Sequence, residues 1–578
     1  MNSSAFSTYC VQVLLILGSW AVQITTASAQ VTATWNGTTG NWSDATLWST
    51  DPLFPNNGNG GFDYNAVINS GTVTLDQDIE IEGLTFSGGT IDGSFNLDLT
   101  DASTWNTGVM SGSGQTTIGS GGTLSLSGDT HYLNRLLVNN GTASWTAGAF
   151  EMVNGTFTNN GSFTANTTGT LWSYGYQAGN GGTFNNTGTF TKLGSGVALF
   201  NQYPNQFGNI MRFNNTGQVD VQQGDLQLET GGTHTGDFAI ATGSTLWLAG
   251  THSFAPTSDI TGAGTANVYG GTTTFNGQLS SGNTLLISGG MADIGSASIA
   301  GAINVAGGTA NFDSTTTVDE MTMSSGTLSG SGTLTVEGTL FWNGGVMSGS
   351  GTTTISSVGT LSLGNQNTFY LQRQLVNEGT TNWTAGYIAM TGGTFQNNGS
   401  FTFDSDANQE CYGLGGSGMF NNAGTFTKQG AGLLQFYNNG LSFNNSGTVD
   451  IQQGDLLLET GTHTGDFSIA AGSMLRLGST HNFAATSDIT GAGTVNVYDG
   501  VTTFNGQLSA NGTWLISGGT TNFNSTTTGG SLNLTSGTLA GTGNVTFTGA
   551  SSWNGFSTMD GSGQTTIGSG GTLSLSGD

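Results

Sequence analysis

Short alternations of apolar and polar residues recur from about residue 70 to the end of the chain. In Gln218 to Glu229, Val219 and Val221 flank Asp220, and Leu226 and Leu228 alternate with Asp225, Gln227 and Glu229. Gln223-Gly224 separates the two runs. A period of two puts apolar side chains on one side of a strand and acids on the other. GTLSLSG and GTLTVEG repeat the pattern. Gly and Asn at the joints permit the positive-φ corners that end short strands. The pattern predicts strand, turn, strand, with Phe and Leu of the GTF and GTL units inward. Met110, Met347 and Met559 recur at matching positions and are expected to be stack fillers.

Two longer periods overlie this one. SGSGQTTIGSGGTLSLSGD from Ser111 returns as SGSGTTTISSVGTLSLGN from Ser348 and as GSGQTTIGSGGTLSLSGD from Gly561. Trp105, Trp342 and Trp553 open the three copies, which occupy 105–341, 342–552 and a truncated 553–578. FNNTGQVDVQQGDLQLETGGTHTGDF from Phe213 matches FNNSGTVDIQQGDLLLETGTHTGDF from Phe443. Inside each copy a finer spacing of about 19 residues runs through the Gly-rich turns, a repeat signature of solenoids. Copy one exceeds copy two mainly by residues 291–308, MADIGSASIAGAINVAGG, about the length of one coil. A solenoid tolerates such a loss because each coil touches only its neighbours. The expected fold is therefore all-β: a long parallel β-helix over residues 70–578, with ~26 coils of ~19 residues and a length of ~125 Å. Stacked Asn in the FNN units are expected to form side-chain ladders.

Composition narrows the class. The chain has 578 residues, with 99 Gly, 34 Asp and Glu, 6 Lys and Arg, and a net charge of −28. Six basic residues cannot neutralise a phosphate backbone, so nucleic acid is not an expected partner. No apolar run reaches the length of a membrane-spanning helix. Val11 to Val22 is a short apolar core, followed by Ala27-Ser28-Ala29 before Gln30. This is the pattern of a secretory signal peptide over residues 1–29, although no Lys or Arg precedes the core. Removing it leaves Cys411 as the sole cysteine, expected as a buried or half-buried thiol. Residues 30–69, with Trp35, Trp42 and Trp48, are expected to cap the first coil; sugar stacking is the other reading of these tryptophans.

The opening WNGTTGNWSDATLWS, the following DYNAVINSGTVTL, and the FNNTG and GSGTLTV units resemble bacterial β-helix surface proteins, including autotransporter-type passengers and β-strand-repeat proteins. The resemblance implies a secreted, right-handed helix used for display or adhesion at the cell surface. Its motifs are low in complexity and inform the fold more than the function. Copy three breaks off at Asp578, at the point equivalent to Asp129, so the chain is expected to be a fragment of a longer protein.

Polar residues repeated in both long copies are the candidates for chemistry. They are Asp220 and Asp450, Asp225 and Asp455, Glu229 and Glu459, His234 and His463, Asp237 and Asp466, and His252 and His481. Two carboxylates with a His fit a glycosidase, and Asp225 and Glu229 could share an outward face. A duplicated solvated face accounts for the same residues without chemistry. Arg135 and Arg373, and Lys192 and Lys428, also match between copies, but none adjoins an acid cluster in sequence. No zinc-like Cys/His spacing occurs, no cofactor is expected, and the acidic surface allows diffuse Ca²⁺ association. Insertions near 165–180, 200–212 and 403–418 break the period, and such interruptions become loops that carry binding. The expected ligand-contact residues are Tyr203, Tyr412, Tyr437, Asp225 and Glu229. The expected function is a secreted structural or adhesive rod meeting surface glycans or host and matrix proteins. A polysaccharide-binding or polysaccharide-cleaving helix is the alternative.

Overall fold

A computed structural model describes residues 29–175, 181–202, 211–295, 299–437 and 440–577. Parallel strands stack into a β-solenoid of about 25 turns, which at ~4.8 Å per turn makes a rod about 120 Å long. Two single turns of 3₁₀ helix, Ala45–Leu47 and Asn59–Gly61, are the only helical pieces among the described residues. Among these residues no helix is long and apolar enough to cross a membrane.

Each coil has three faces. Thr142–Trp145 lies on the first, Phe150–Met152 on the second and Thr156–Asn159 on the third. Each pairs in register with the strands one coil below and one coil above. Burial alternates along the first- and third-face strands, so every second side chain there enters a single continuous core, and Phe150–Met152 is buried throughout. Phe157, Phe184 and Phe213 occupy one position in successive coils, with ring centroids 4.9 and 5.3 Å apart and the rings nearly parallel. Phe395, Phe420 and Phe443 repeat this stack in the second copy, at 4.9 and 5.3 Å. Each ring removed from water contributes on the order of 2 kcal/mol.

The Asn ladders form as the FNN units suggest. Asn139, Asn159, Asn186 and Asn215 are buried and joined amide to amide at 2.7 Å. Asn377, Asn397, Asn422 and Asn445 make the second ladder at 2.7, 2.7 and 2.8 Å. At the adjoining corner Gly161, Gly188, Gly217 and Gly236 stack backbone on backbone. A Cβ on Gly188 or Gly217 would lie 2.1 Å from the carbonyl oxygen below, so only glycine fits.

Coil length varies. Thr123 pairs with Thr142 in the next coil, whereas Ser162 pairs with Thr189, Thr189 with Gln218 and Ser400 with Thr425. These three longer coils contain the insertions near 165–180, 200–212 and 403–418, which is why the number of turns falls slightly short of an even spacing. Residues 291–308 span a single coil: Met291 pairs beneath Thr309, and Ala302–Val305 lies above Thr284–Ile287.

The tandem copies do not repeat after a whole number of coils. Eleven successive pairings on the third face climb from Leu136–Asn139 to Thr368–Leu371. The copy-two equivalent of Leu136–Asn139 is the next strand, Gln374–Asn377, which lies on the first face. Copy two is therefore turned one face further round the coil than copy one. The same shift places Trp105 on the first face, Trp342 on the second and Trp553 on the third.

Trp35, Trp42 and Trp48 pack against one another at 5.2 and 4.9 Å. Trp42 donates to Pro55 O and Trp48 to Trp42 O, at 2.7 and 2.8 Å. All three are buried, so no ring face is open for a sugar. Their segment joins the stack through Ala29–Thr34 and Thr39–Asn41, paired to Phe62–Ile68 and Thr72–Leu75.

Candidate functional site

Alternation sends half of every strand outward, and coil stacking gathers those residues into columns. On the third face of copy two, one column runs Tyr370, Ala389, Tyr412, Tyr437. The neighbouring column holds Tyr387, Glu410, Gln435 and, two coils on, Arg476. The Tyr412 and Tyr437 rings lie 6.4 Å apart, tilted by 43°. Glu410 fixes Tyr437 from the side: Tyr437 Oη donates to Glu410 Oε2 at 2.9 Å, and Gln435 Nε2 donates to Glu410 Oε1 at 2.7 Å. Burial raises the pKa of both phenols, and the Glu410 charge adds to the rise. Beside Tyr370 a recess of about 330 Å³ is lined by Ser324, Ser325, Gly344, Gly345 and Asn367.

The strip continues upward. Tyr498 Oη donates to Glu459 Oε1 at 2.8 Å, reaching across two coils over Gly478. Arg476 and Asp455 make an ion pair at 2.6 Å. Burial, then the Glu459 carboxylate, pushes the Tyr498 pKa up.

Copy one carries the corresponding strip on the second face. Tyr174 stands where copy two has Tyr412, and Tyr269 donates to Glu229 Oε1 at 2.7 Å as Tyr498 does to Glu459. Trp172 takes the place of Glu410, and Trp247 that of Arg476. Trp172 is 42% exposed. The Trp247 and Tyr269 rings meet edge to face at 5.6 Å. The copy-one strip is thus richer in apolar ring surface, and the copy-two strip richer in charge.

The expected ligand-contact residues divide accordingly. Tyr412, Tyr437 and Glu229 lie within the strips, and Asp225 opens the strand Asp225–Leu228 that Glu229 follows. Tyr203 lies outside the described residues. The carboxylate–histidine grouping does not assemble. Asp225 and Glu229 face outward, whereas His234 is buried, its Nε2 3.0 Å from Nδ1 of His252. His252 Nε2 in turn reaches Leu228 O at 3.1 Å. His463 and His481 repeat the pair at 3.1 Å. The physical reason is parity: in THSF, His252 is two residues from the inward Phe254, so it points inward too. Burial holds His252 and His481 down to about 4, and His234 and His463 well below the usual histidine value.

The repeated cations are also internal. Arg135 is buried and donates to Gly114 O, Ser111 O and Phe95 O at 3.0, 3.1 and 2.9 Å. Arg373 does the same with Gly351, Ser348 and Gly332. Lys192 Nζ donates to Leu193 O, Gly194 O and Gln223 O, and Lys428 Nζ to Gln429 O, Gly430 O and Gln453 O. Burial lowers the arginines to about 10 and the lysines to about 8. These four side chains tie one coil to the next rather than face a ligand. Cys411 is buried, 3.7 Å from Met390 Sδ, and burial pushes its thiol pKa up. Among the described residues no group of His, Cys, Asp and Glu is arranged to hold a metal.

Sequence reasoning missed Trp172, Trp247, Tyr269, Tyr370, Tyr387, Glu410 and Tyr498. The available signal was parity within strands such as TLWSYG and QECYG, where every second residue is outward. Compared with known protein families, curated proteins and solved structures, the chain has no match.

Proposed function

We propose that the protein is an extracellular adhesive rod that holds glycans against its aromatic strips. The observation that carries the reading is the Tyr412–Tyr437 pair, with Tyr437 braced by Glu410. A sugar ring offers an apolar C–H face to an aromatic ring and hydroxyl donors to a carboxylate at its edge, and half-exposed Tyr and Trp supply large contact area at little entropic cost. A net charge of −28 with 6 basic residues disfavours polyanionic glycans by repulsion, leaving neutral ones as the ligand class. The leader-like residues 11–29 and the resemblance to bacterial β-helix surface proteins support export and surface display.

Affinity electrophoresis in gels cast with hydroxyethylcellulose or mixed-linkage β-glucan tests the reading. The wild-type chain is expected to be retarded, and Y412A/Y437A to be retarded less while keeping its circular dichroism. Unchanged wild-type mobility in a panel of neutral glycans would overturn the proposal.

A further inference from the structure

We infer that the protein is bivalent and bridges two separate glycan strands, because its two aromatic strips lie on different faces of the solenoid. This rests on the glycan-binding reading above. Each strip is a column of stacked strands confined to one face of the solenoid. From Thr170–Gly175, which carries Trp172 and Tyr174, to Thr265–Val268 beside Tyr269 the copy-one strip rises through four pairings. From Thr368–Leu371, which carries Tyr370, to Thr494–Val497 beside Tyr498 the copy-two strip rises through six. At the rise of a stacked strand, the strips are ~19 and ~29 Å long.

The two strips are not in line. Copy one presents Trp172, Tyr174, Trp247 and Tyr269 on the second face. Copy two presents Tyr387, Tyr412, Tyr437 and Tyr498 on the third. Eleven coils and one face separate equivalent residues, an axial offset of about 54 Å. A glycan stacked along one strip follows that face and does not meet the strip on the other. To engage both strips, one strand would have to cross a corner of the solenoid over the coils between them. The continuous hydrogen-bonded stack between the copies holds the angle fixed, so the strips cannot swing into line. Where geometry forbids two sites from sharing one ligand, the second site remains available for another. The rod then acts as a cross-link.

The test uses the full chain and soluble mixed-linkage β-glucan, with light scattering for bridging and affinity electrophoresis for binding. Wild type is expected to raise scattering several-fold at intermediate protein-to-glucan ratio, with a fall at protein excess as strands saturate singly. W172A/W247A removes one strip and Y412A/Y437A the other. Each is expected to stay retarded in the gel, more weakly, but to lose the scattering. The fourfold variant is expected to lose both. If wild type binds the glucan without any rise in scattering, or if a one-strip variant scatters like wild type, bivalency is wrong and the adhesive reading stands. If wild type does not bind, both readings fail.

Discussion

Asn159 donates its side-chain amide to the side-chain oxygen of Asn186, one coil above, at 2.7 Å and wholly inside the solenoid. The same amide also reaches Thr189 O at 3.0 Å. Each rung satisfies the backbone of the next corner as well as its neighbour's amide. Cutting one rung therefore orphans groups on both sides. Asn186→Ala is expected to cost about 3 kcal/mol, read as a lower urea midpoint. An unchanged midpoint would mean the ladder adds nothing beyond packing.

Lys428 holds three carbonyl oxygens, and its ammonium sits 5.1 Å from the Phe403 ring centre. Lys428→Met keeps the stem but strands those carbonyls. The expected loss is about 2–4 kcal/mol, measured by chemical denaturation. Lys428→Arg is expected not to rescue it, because the three carbonyls converge on the single Nζ atom, and the bulkier guanidinium spreads its donors over a planar fork. Stability equal to wild type in the Met variant would show that water replaces the lysine.

The buried histidine pairs set a pH response. Free histidine binds a proton near 6.5, whereas His252 and His481 do so only near 4 in the fold. Between those values the unfolded chain takes up protons that the folded chain refuses, so stability falls as pH falls from 6.5 toward 4 and is flat above 6.5 on this account. The melting temperature is expected to drop between pH 7.5 and 4.5. A variant with His234→Phe, His252→Leu, His463→Phe and His481→Leu is expected to drop less, which separates the histidines from the carboxylates. Equal slopes in the two proteins would assign the effect to the acids and to His131, whose pKa burial also lowers.

Residues 291–308 make one full turn, and copy two lacks them: Gly519 is followed by Thr520 where copy one has Gly290, the extra turn and then Thr309. Deleting 291–308 is expected to leave a cooperative fold with a melting temperature within a few degrees of wild type. Deleting only 291–299, half the turn, is expected to break the register of every coil above and give aggregation or a much lower melting temperature. Equal tolerance of both deletions would contradict the fixed three-faced register.

Much of this was legible in the residues. The Asn ladders follow from FNN recurring at the coil spacing, and the removable coil from the gap between the copies. The inward histidines were legible too, had strand parity been applied to THSF as it was to DLQL. The strips were not, because their columns join residues of different coils, and unequal coil lengths hide which outward residues become neighbours. Tyr387 and Glu410 come together only because an insertion lengthens the coil between Ser400 and Thr425, so an even spacing counted up from Tyr387 misses Glu410. The turn of one face between copies was hidden for the same reason: the distance along the sequence from Trp105 to Trp342 does not state a number of coils.

That extra third of a turn has an evolutionary edge. A gene that lengthens by tandem copying of this unit acts as a screw, since each added unit advances along the axis and rotates by one face. Three rounds return a surface to its starting side, having shown it on every side in between. All-round display thus arises from copying alone, with no substitution selected for direction, while gain or loss of a single coil changes the reach of the rod and leaves its aim untouched.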